Sequence, residues 1–151
     1  MGASKISGVG LVLFLAVGLT GCTQPDPVQV STISATVKKL DLKSLGRIEC
    51  DGVYAPDGLG STVRYTRTIG VTGSDHLPEL VSRLKRAGFK ENTQETSASG
   101  GVHTYLYGPH ETSATVLSKS PGSAKFGLNE DYECSVPAEG LTVLVLRPTD
   151  G

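Results

Sequence analysis

The chain has no excess of charge of either sign: 14 basic residues stand against 15 acidic ones, a formal net charge of −1. That excludes a nucleic-acid binder driven by bulk phosphate neutralisation, which carries a basic excess. It has no apolar run long enough to cross a bilayer as a helix, since the uncharged stretch rich in Leu and Val, 8–20, is about 13 residues against the ~20 that a span requires. Cys-x-x-Cys is absent, which removes the usual dithiol redox chemistry. His-Glu-x-x-His is absent, and neither His76 with Glu79 nor His110 with Glu111 makes a metal-ligand pattern. There is no Gly-x-Ser-x-Gly elbow for a hydrolase nucleophile, and Gly58-Leu59-Gly60-Ser61 lacks its flanking pattern. The same stretch is no nucleotide fingerprint, because it precedes a strand and not a helix. Gly70-Val71-Thr72-Gly73 leads from a strand into a helix and offers backbone N–H groups to an anion, but no P-loop lysine follows. Internal repeats and low-complexity runs are also missing. No cofactor, metal or catalytic residue is implied.

What is present begins with an address. Aromatic residues are 5% and apolar residues 38% of the 151-residue chain, and the apolar ones concentrate in residues 1–21. Lys5 is the only charge there, and 8–20 has the length of a secretory h-region. Three glycines, Gly8, Gly10 and Gly18, weigh against a buried core helix. The stretch after it, Leu19-Thr20-Gly21-Cys22, resembles the lipobox of bacterial lipoproteins: an aliphatic residue, two small or hydroxylated ones, then cysteine. The resemblance covers these four residues and the signal before them. It implies a diacylglyceryl and palmitoyl modification of Cys22, cleavage just before it, and attachment to the extracytoplasmic face of a cell membrane. Two or more acyl chains give lasting attachment where one gives only marginal binding. A myristoylation signal would need Ser or Thr at position 6, where Ile6 stands. Residues 22–27 then read as a tether with two prolines, and 28–151 as a single domain of ordinary size.

Removing Cys22 leaves Cys50 and Cys134, which on the oxidising side of a membrane pair most simply as a disulfide. Neither has a neighbouring Cys or His at zinc-ligand spacing. A loop of about 84 residues closed in this way contributes roughly 4–5 kcal/mol by restricting the unfolded chain.

Within the domain the plainest element is a helix at 75–87. Ser74 or Asp75 can cap it, and Pro78 falls harmlessly in its first turn. Leu77, Leu80, Val81 and Leu84 make one apolar face, Arg83, Lys85 and Arg86 complement the dipole, and Gly88 with Phe89 reads as a Schellman stop. Residues 62–71 alternate as a half-buried strand, with Arg67 breaking the apolar side; such an arginine sits at an edge or bulge, or pairs with an acid. Residues 91–101 form a loop or edge. Strands at 102–107 and 112–118 make a hairpin through the four-residue connection Gly108-Pro109-His110-Glu111. Ala124, Phe126 and Leu128 alternate, 129–137 is irregular around Cys134, and 141–146 is a continuous apolar strand covered on both faces. In the weaker region 28–57, Val37, Leu40 and Leu45 suggest one short helix and 47–53 one strand. The result is an α+β two-layer domain, a mostly antiparallel sheet covered by one or two helices.

Two surfaces stand out. His103, Tyr105 and Tyr107 share one side of a strand, with Val102, Thr104 and Leu106 on the other. If the aliphatic side faces the core, the aromatic side is a candidate binding surface, because tyrosine contacts a partner at low entropy cost. Tyrosines packed under the helix with their hydroxyls at the rim are the plainer alternative. The basic helix end could meet anionic lipid or wall polymer, or be a solvated face. The expected role is a non-catalytic interaction module of the cell envelope with a protein partner. The alternatives are a carrier of a small or amphiphilic ligand, which needs an apolar cavity between helix and sheet, and a small envelope enzyme.

Overall fold

The computed structural model describes residues 26–54, 65–96, 101–123, 125–129 and 132–149. The signal segment, Cys22, Gly58–Ser61 and Ala124 lie outside these residues. The elements in chain order are α1 (Pro27–Leu40), a 3-10 turn (Leu42–Ser44), β1 (Ile48–Tyr54), β2 (Thr66–Thr72), α2 (Leu77–Arg86), β3 (Lys90–Thr96), β4 (Val102–Gly108), β5 (Thr112–Lys119), β6 (Phe126–Asn129), β7 (Tyr132–Cys134) and β8 (Leu141–Pro148). Six strands form one sheet in the order β1-β2-β8-β5-β4-β3, every pair antiparallel, and β6 pairs with β7 as a separate ribbon. The fold is the expected two-layer α+β arrangement.

The alternation of directions makes β2 and β3 run the same way, with three strands between them. Strands of like direction cannot be joined by a tight hairpin, and α2 is the crossover. Both helices therefore lie on one sheet face, α2 against β5 and β3, α1 against β5, β8 and α2. Leu80 and Leu84 of α2 and Ile33 and Leu40 of α1 pack there with Ile69, Val71, Leu106, Val116, Leu144 and Leu146. Each of these side chains is at most 1% exposed, and full burial stabilises a side chain of this size by about 2 kcal/mol.

A smaller cluster lies on the opposite face, where Leu117, Leu141 and Val143 pack with Cys50 and Cys134. These two cysteines form the expected disulfide, with Cα atoms 5.7 Å apart. It binds the β6–β7 ribbon to β1. Val143 and Leu144 are each 0% exposed on opposite faces, which is why the apolar run in β8 is continuous.

The stop of α2 is the anticipated Schellman motif: Phe89 N donates to Leu84 O at 3.0 Å and Gly88 N to Lys85 O at 3.1 Å, with Gly88 at φ 99°. Its start differs. The N-cap is His76, without a side-chain cap, because the preceding loop is strapped to the sheet. Thr142 Oγ1 donates to Gly73 O at 2.7 Å, Ser118 Oγ to Ser74 O at 2.7 Å, and Gly73 N to Gly140 O at 3.0 Å. The last bond also takes up an N–H that the anion reading of Gly70–Gly73 would use.

Three further differences have local causes. In place of a short helix around Val37–Leu45, α1 begins at Pro27, at the end of the expected tether, with Asp26 Oδ1 accepting from Val28 N at 2.8 Å. Leu45 follows the 3-10 turn, because Asp41 adopts a left-handed φ of 45° and ends α1. The β4–β5 connection has three residues, since Gly108 extends β4 and pairs with Thr112. Residues 132–134, expected to be irregular, form β7. Arg67 pairs with an acid: its Nε and Nη2 bind the two Asp51 carboxylate oxygens at 3.0 and 2.8 Å. That fork raises the Arg67 pKa above its ordinary value, against a smaller effect of burial.

Candidate functional site

Residues 102, 104 and 106 of β4 point toward the helices, so His103, Tyr105 and Tyr107 fall on the other face of the sheet. Thr104 and Leu106 are buried, His103 and Tyr105 half-buried, and Tyr107 is 56% exposed. The helices lie on the far side of the sheet, so they do not cover these tyrosines. The His103 and Tyr105 ring centroids are 6.5 Å apart and inclined at 50°.

Register supplies the surroundings. Tyr105 lies opposite Thr115 and Tyr107 opposite Ser113 on β5, while Ser113 lies opposite Arg147 on β8. On the outer side, Thr93 and Glu95 of β3 face Tyr105 and His103. Tyr105, Tyr107, Ser113, Thr115 and Arg147 line a shallow cleft of about 280 Å³, closed at one side by Asn92. That volume is just below the range of ordinary small-molecule pockets, ~300–1,000 Å³. The residues that β4 alone could not reveal are Ser113, Thr115 and Arg147. Their sequence signal is the alternation of β5, in which Ser113 and Thr115 interleave with buried Ala114 and Val116.

The turn at the end of this face, Pro109–Glu111, holds His110 and Glu111 both at φ 53°, a region that a residue with a side chain enters at a cost of ~1–2 kcal/mol. Thr112 Oγ1 donates to Pro109 O at 2.6 Å and Thr149 N to Glu111 O at 2.7 Å, fixing the turn against the end of β8. Both side chains stay exposed.

The other candidate groups are engaged elsewhere. His76 Nε2 lies 3.0 Å from Thr72 O; the carbonyl can only accept, so this nitrogen carries the proton. Among the described residues no three His, Cys, Asp or Glu side chains converge on a point. At the basic end of α2, Arg83 binds Leu40 O at 2.7 Å, Asp41 O at 2.8 Å and Ser44 Oγ at 2.8 Å through Nη1, and Glu79 at 2.9 Å through Nε. It caps the carbonyl end of α1. Arg86 binds Ser82 and Glu79, and Lys85 pairs with Glu91. Hydrogen bonds from Arg83 and then Arg86 hold the Glu79 carboxyl below its ordinary pKa.

Where the helices meet the sheet, the apolar side chains described above close the interface. At its margin a cleft of about 230 Å³ opens beside Val37, Leu42, Ile48 and Ile69, rimmed by Lys38 and Lys43 and by Asp41 and Asp51. No helix among the described residues is long and apolar enough to cross a membrane. Comparison with protein-family models, with curated proteins and with solved structures finds no match to this chain. The class defined by fold and surface is thus an α+β two-layer domain with one half-open sheet face.

Proposed function

We propose that this chain is a lipid-anchored protein of the bacterial cell envelope, held through Cys22 on the extracytoplasmic face of the membrane, whose domain is a non-catalytic protein-interaction module. The observation that carries the second part is the half-open sheet face, on which a strand presents His103, Tyr105 and Tyr107 beside Ser113, Thr115 and Arg147. Rigid amphipathic rings on a flat, hydrogen-bonded support lose little freedom on contact, and Arg147 adds a charged donor at the rim. The first part rests on the lipobox-like Leu19–Cys22. A disulfide between Cys50 and Cys134 agrees with an oxidising compartment.

The same geometry offers less to a ligand carrier. Among the described residues, apolar side chains pack together between helices and sheet, and the cleft at the margin is about 230 Å³. An enzyme reading has no nucleophile–base pair to work with on this face, where Ser113 Oγ donates to Arg147 O at 3.3 Å.

In-cell crosslinking of the tagged full-length protein, followed by mass spectrometry, tests the reading. One dominant envelope protein is captured, and it is lost on Tyr105→Ala or Tyr107→Ala while the variants keep their abundance. Cys22→Ala abolishes fatty-acid labelling and serves as the localisation control. Continued labelling of that variant refutes the anchor. Capture unchanged by both tyrosine substitutions refutes the surface.

A further inference from the structure

The helix layer carries a surface that the tyrosine face does not explain. The side of α1 turned away from the sheet presents Val28, Ser31 and Ala35, all exposed and uncharged, and then Lys38 and Lys39; Lys43 follows in the 3-10 turn. Val28 is 55% exposed. Arg83, Lys85 and Arg86 are all taken by acids, carbonyls or hydroxyls, whereas Lys38, Lys39 and Lys43 make no hydrogen bond or ion pair among the described residues. The acids in the two helices and the turn, with the N-cap, are Asp26, Asp41 and Glu79. Against these six cations they leave a formal +3 in a chain whose total is −1. Among the described residues outside this layer, eight acids stand against six cations, a formal −2, so the positive excess lies in the helix layer.

The covalent distance from the lipobox cysteine to this layer is short. Four residue steps separate Cys22 from Asp26, and fully extended they reach ~14 Å. A lipid on Cys22 therefore keeps the first turn of α1 close to the headgroups. From there the helix rises about 15 Å over the ten residues to Lys38, along a face with no charge to hold off the interface.

We infer that the outer face of α1 lies along an anionic phospholipid surface, with Lys38, Lys39 and Lys43 on the headgroups. The inference rests on the anchor reading given above and adds an orientation to it. With α1 down, one helix diameter and one layer spacing put the His103–Tyr105–Tyr107 face roughly 20 Å from the lipid plane and turned away from it. An envelope partner is then met by a face presented outward.

The test uses the full-length protein, extracted from cells in detergent and reconstituted in phosphatidylcholine vesicles containing about one third phosphatidylglycerol. Intact mass first reads the lipid on Cys22. A water-soluble amine-acetylating reagent then reports each lysine by mass spectrometry. In these vesicles Lys38, Lys39 and Lys43 react about fivefold more slowly than in detergent micelles, while Lys90 and Lys125 keep their rates; attraction of this size is expected of a lysine at an anionic surface. The protection fades in pure phosphatidylcholine and in high salt. Replacing the three lysines with serine, which removes no hydrogen bond or ion pair among the described residues, retains the anchor and exposes Ser31 and Ala35 to hydroxyl-radical footprinting.

A lipidated protein whose three lysines react equally in vesicles and micelles overturns the orientation and leaves the anchor standing. An unlipidated mass overturns both. Protection in whole cells without protection in vesicles assigns the face to an anionic wall polymer and overturns the lipid assignment.

Discussion

Gly70 is the residue through which the disulfide and the sheet can be tested against each other. A methyl group built on it would sit 2.7 Å from Cys50 Sγ, 2.9 Å from Cys134 Sγ and 3.2 Å from Leu141 Cδ1. The first two separations are shorter than carbon and sulfur tolerate, and the sulfurs cannot rotate away singly because they are bonded to each other and to two separate strands. Gly70→Ala should therefore fall at the high end for overpacking, about 2–3 kcal/mol. In a Cys50→Ala/Cys134→Ala background both obstacles are gone. What remains is the ordinary advantage of alanine over glycine in a strand, ~0.5–1 kcal/mol, set against the Leu141 contact. There the substitution is nearly neutral, and the coupling between the two sites comes to about 2–3 kcal/mol, large for neighbours. Urea unfolding of the chain from Asp26 onward reads this directly. With a slope near 1.5 kcal/mol per molar, the oxidised variant loses between one and two molar of its midpoint. The disulfide-free background itself starts about 4 kcal/mol lower, so a second readout is useful. At a fixed dithiothreitol ratio, the Gly70→Ala chain is more easily reduced than the parent by roughly tenfold or more, since the methyl group opposes only the bridged state. Equal midpoint losses in both backgrounds, or unchanged reducibility, would refute the placement of both sulfurs directly over Gly70.

The other predictions concern the helix layer. Gly88→Ala meets no atom within 4 Å, so its cost is that of the left-handed backbone alone, about 1 kcal/mol; a neutral result in thermal unfolding would mean that α2 does not end in the motif described. Arg83→Met removes the two bonds that cap the carbonyl end of α1 and the one to Ser44 in the turn after it, at about 2 kcal/mol, and speeds amide exchange in the last turn of that helix; Arg83→Lys restores less than half, because a single ammonium cannot reproduce the fork. The lowered Glu79 carboxyl contributes stability that is present above the ordinary carboxylate range and lost as pH falls through its depressed folded value. Glu79→Gln should make the acid limb of a stability–pH curve shallower, and an unchanged limb would show that Arg83 and Arg86 hold the fold without it.

The elements that were legible in the sequence share one property: their own side chains decide their geometry. In α2 the spacing of Leu77, Leu80, Val81 and Leu84 places four apolar residues on one stripe, and Gly88 ends it by a conformation few other residues adopt. In β8 the unbroken run Leu141–Leu146 could belong only to a strand with both faces covered. The helix α1 was foreshortened because its interior is Val, Ser, Thr and Ile, residues of middling helix propensity, and its apolar stripe is weak. It is helical because Ile33 and Leu40 are buried against α2 and the sheet, a tertiary gain that no window of the sequence contains. The start of α2 failed for a related reason. Ser74 and Asp75 have the chemistry of caps, but Ser118, 44 residues beyond Ser74, and Thr142, 69 beyond Gly73, hold the loop in another conformation.

The candidate surface was half legible, and a short piece of geometry explains which half. Alternation in β4 fixes that His103, Tyr105 and Tyr107 share a face; it does not say whether anything covers that face. Six strands at ~4.8 Å spacing make a sheet about 24 Å across between its outermost backbones. Two helices of ~10 Å diameter are enough to cover one side of it. Among the described residues, what meets the other side is the short β6–β7 ribbon, two strands wide and tied by Cys134 to β1. Such a ribbon can cover the β1–β2–β8 side, where Cys50, Val143 and Leu141 are buried, and it cannot also reach β4. Among the described residues, the exposure of Tyr107 follows from the two helices lying on one face and the ribbon on the β1 side of the other. The side to which the disulfide ties the ribbon decides which strands remain open.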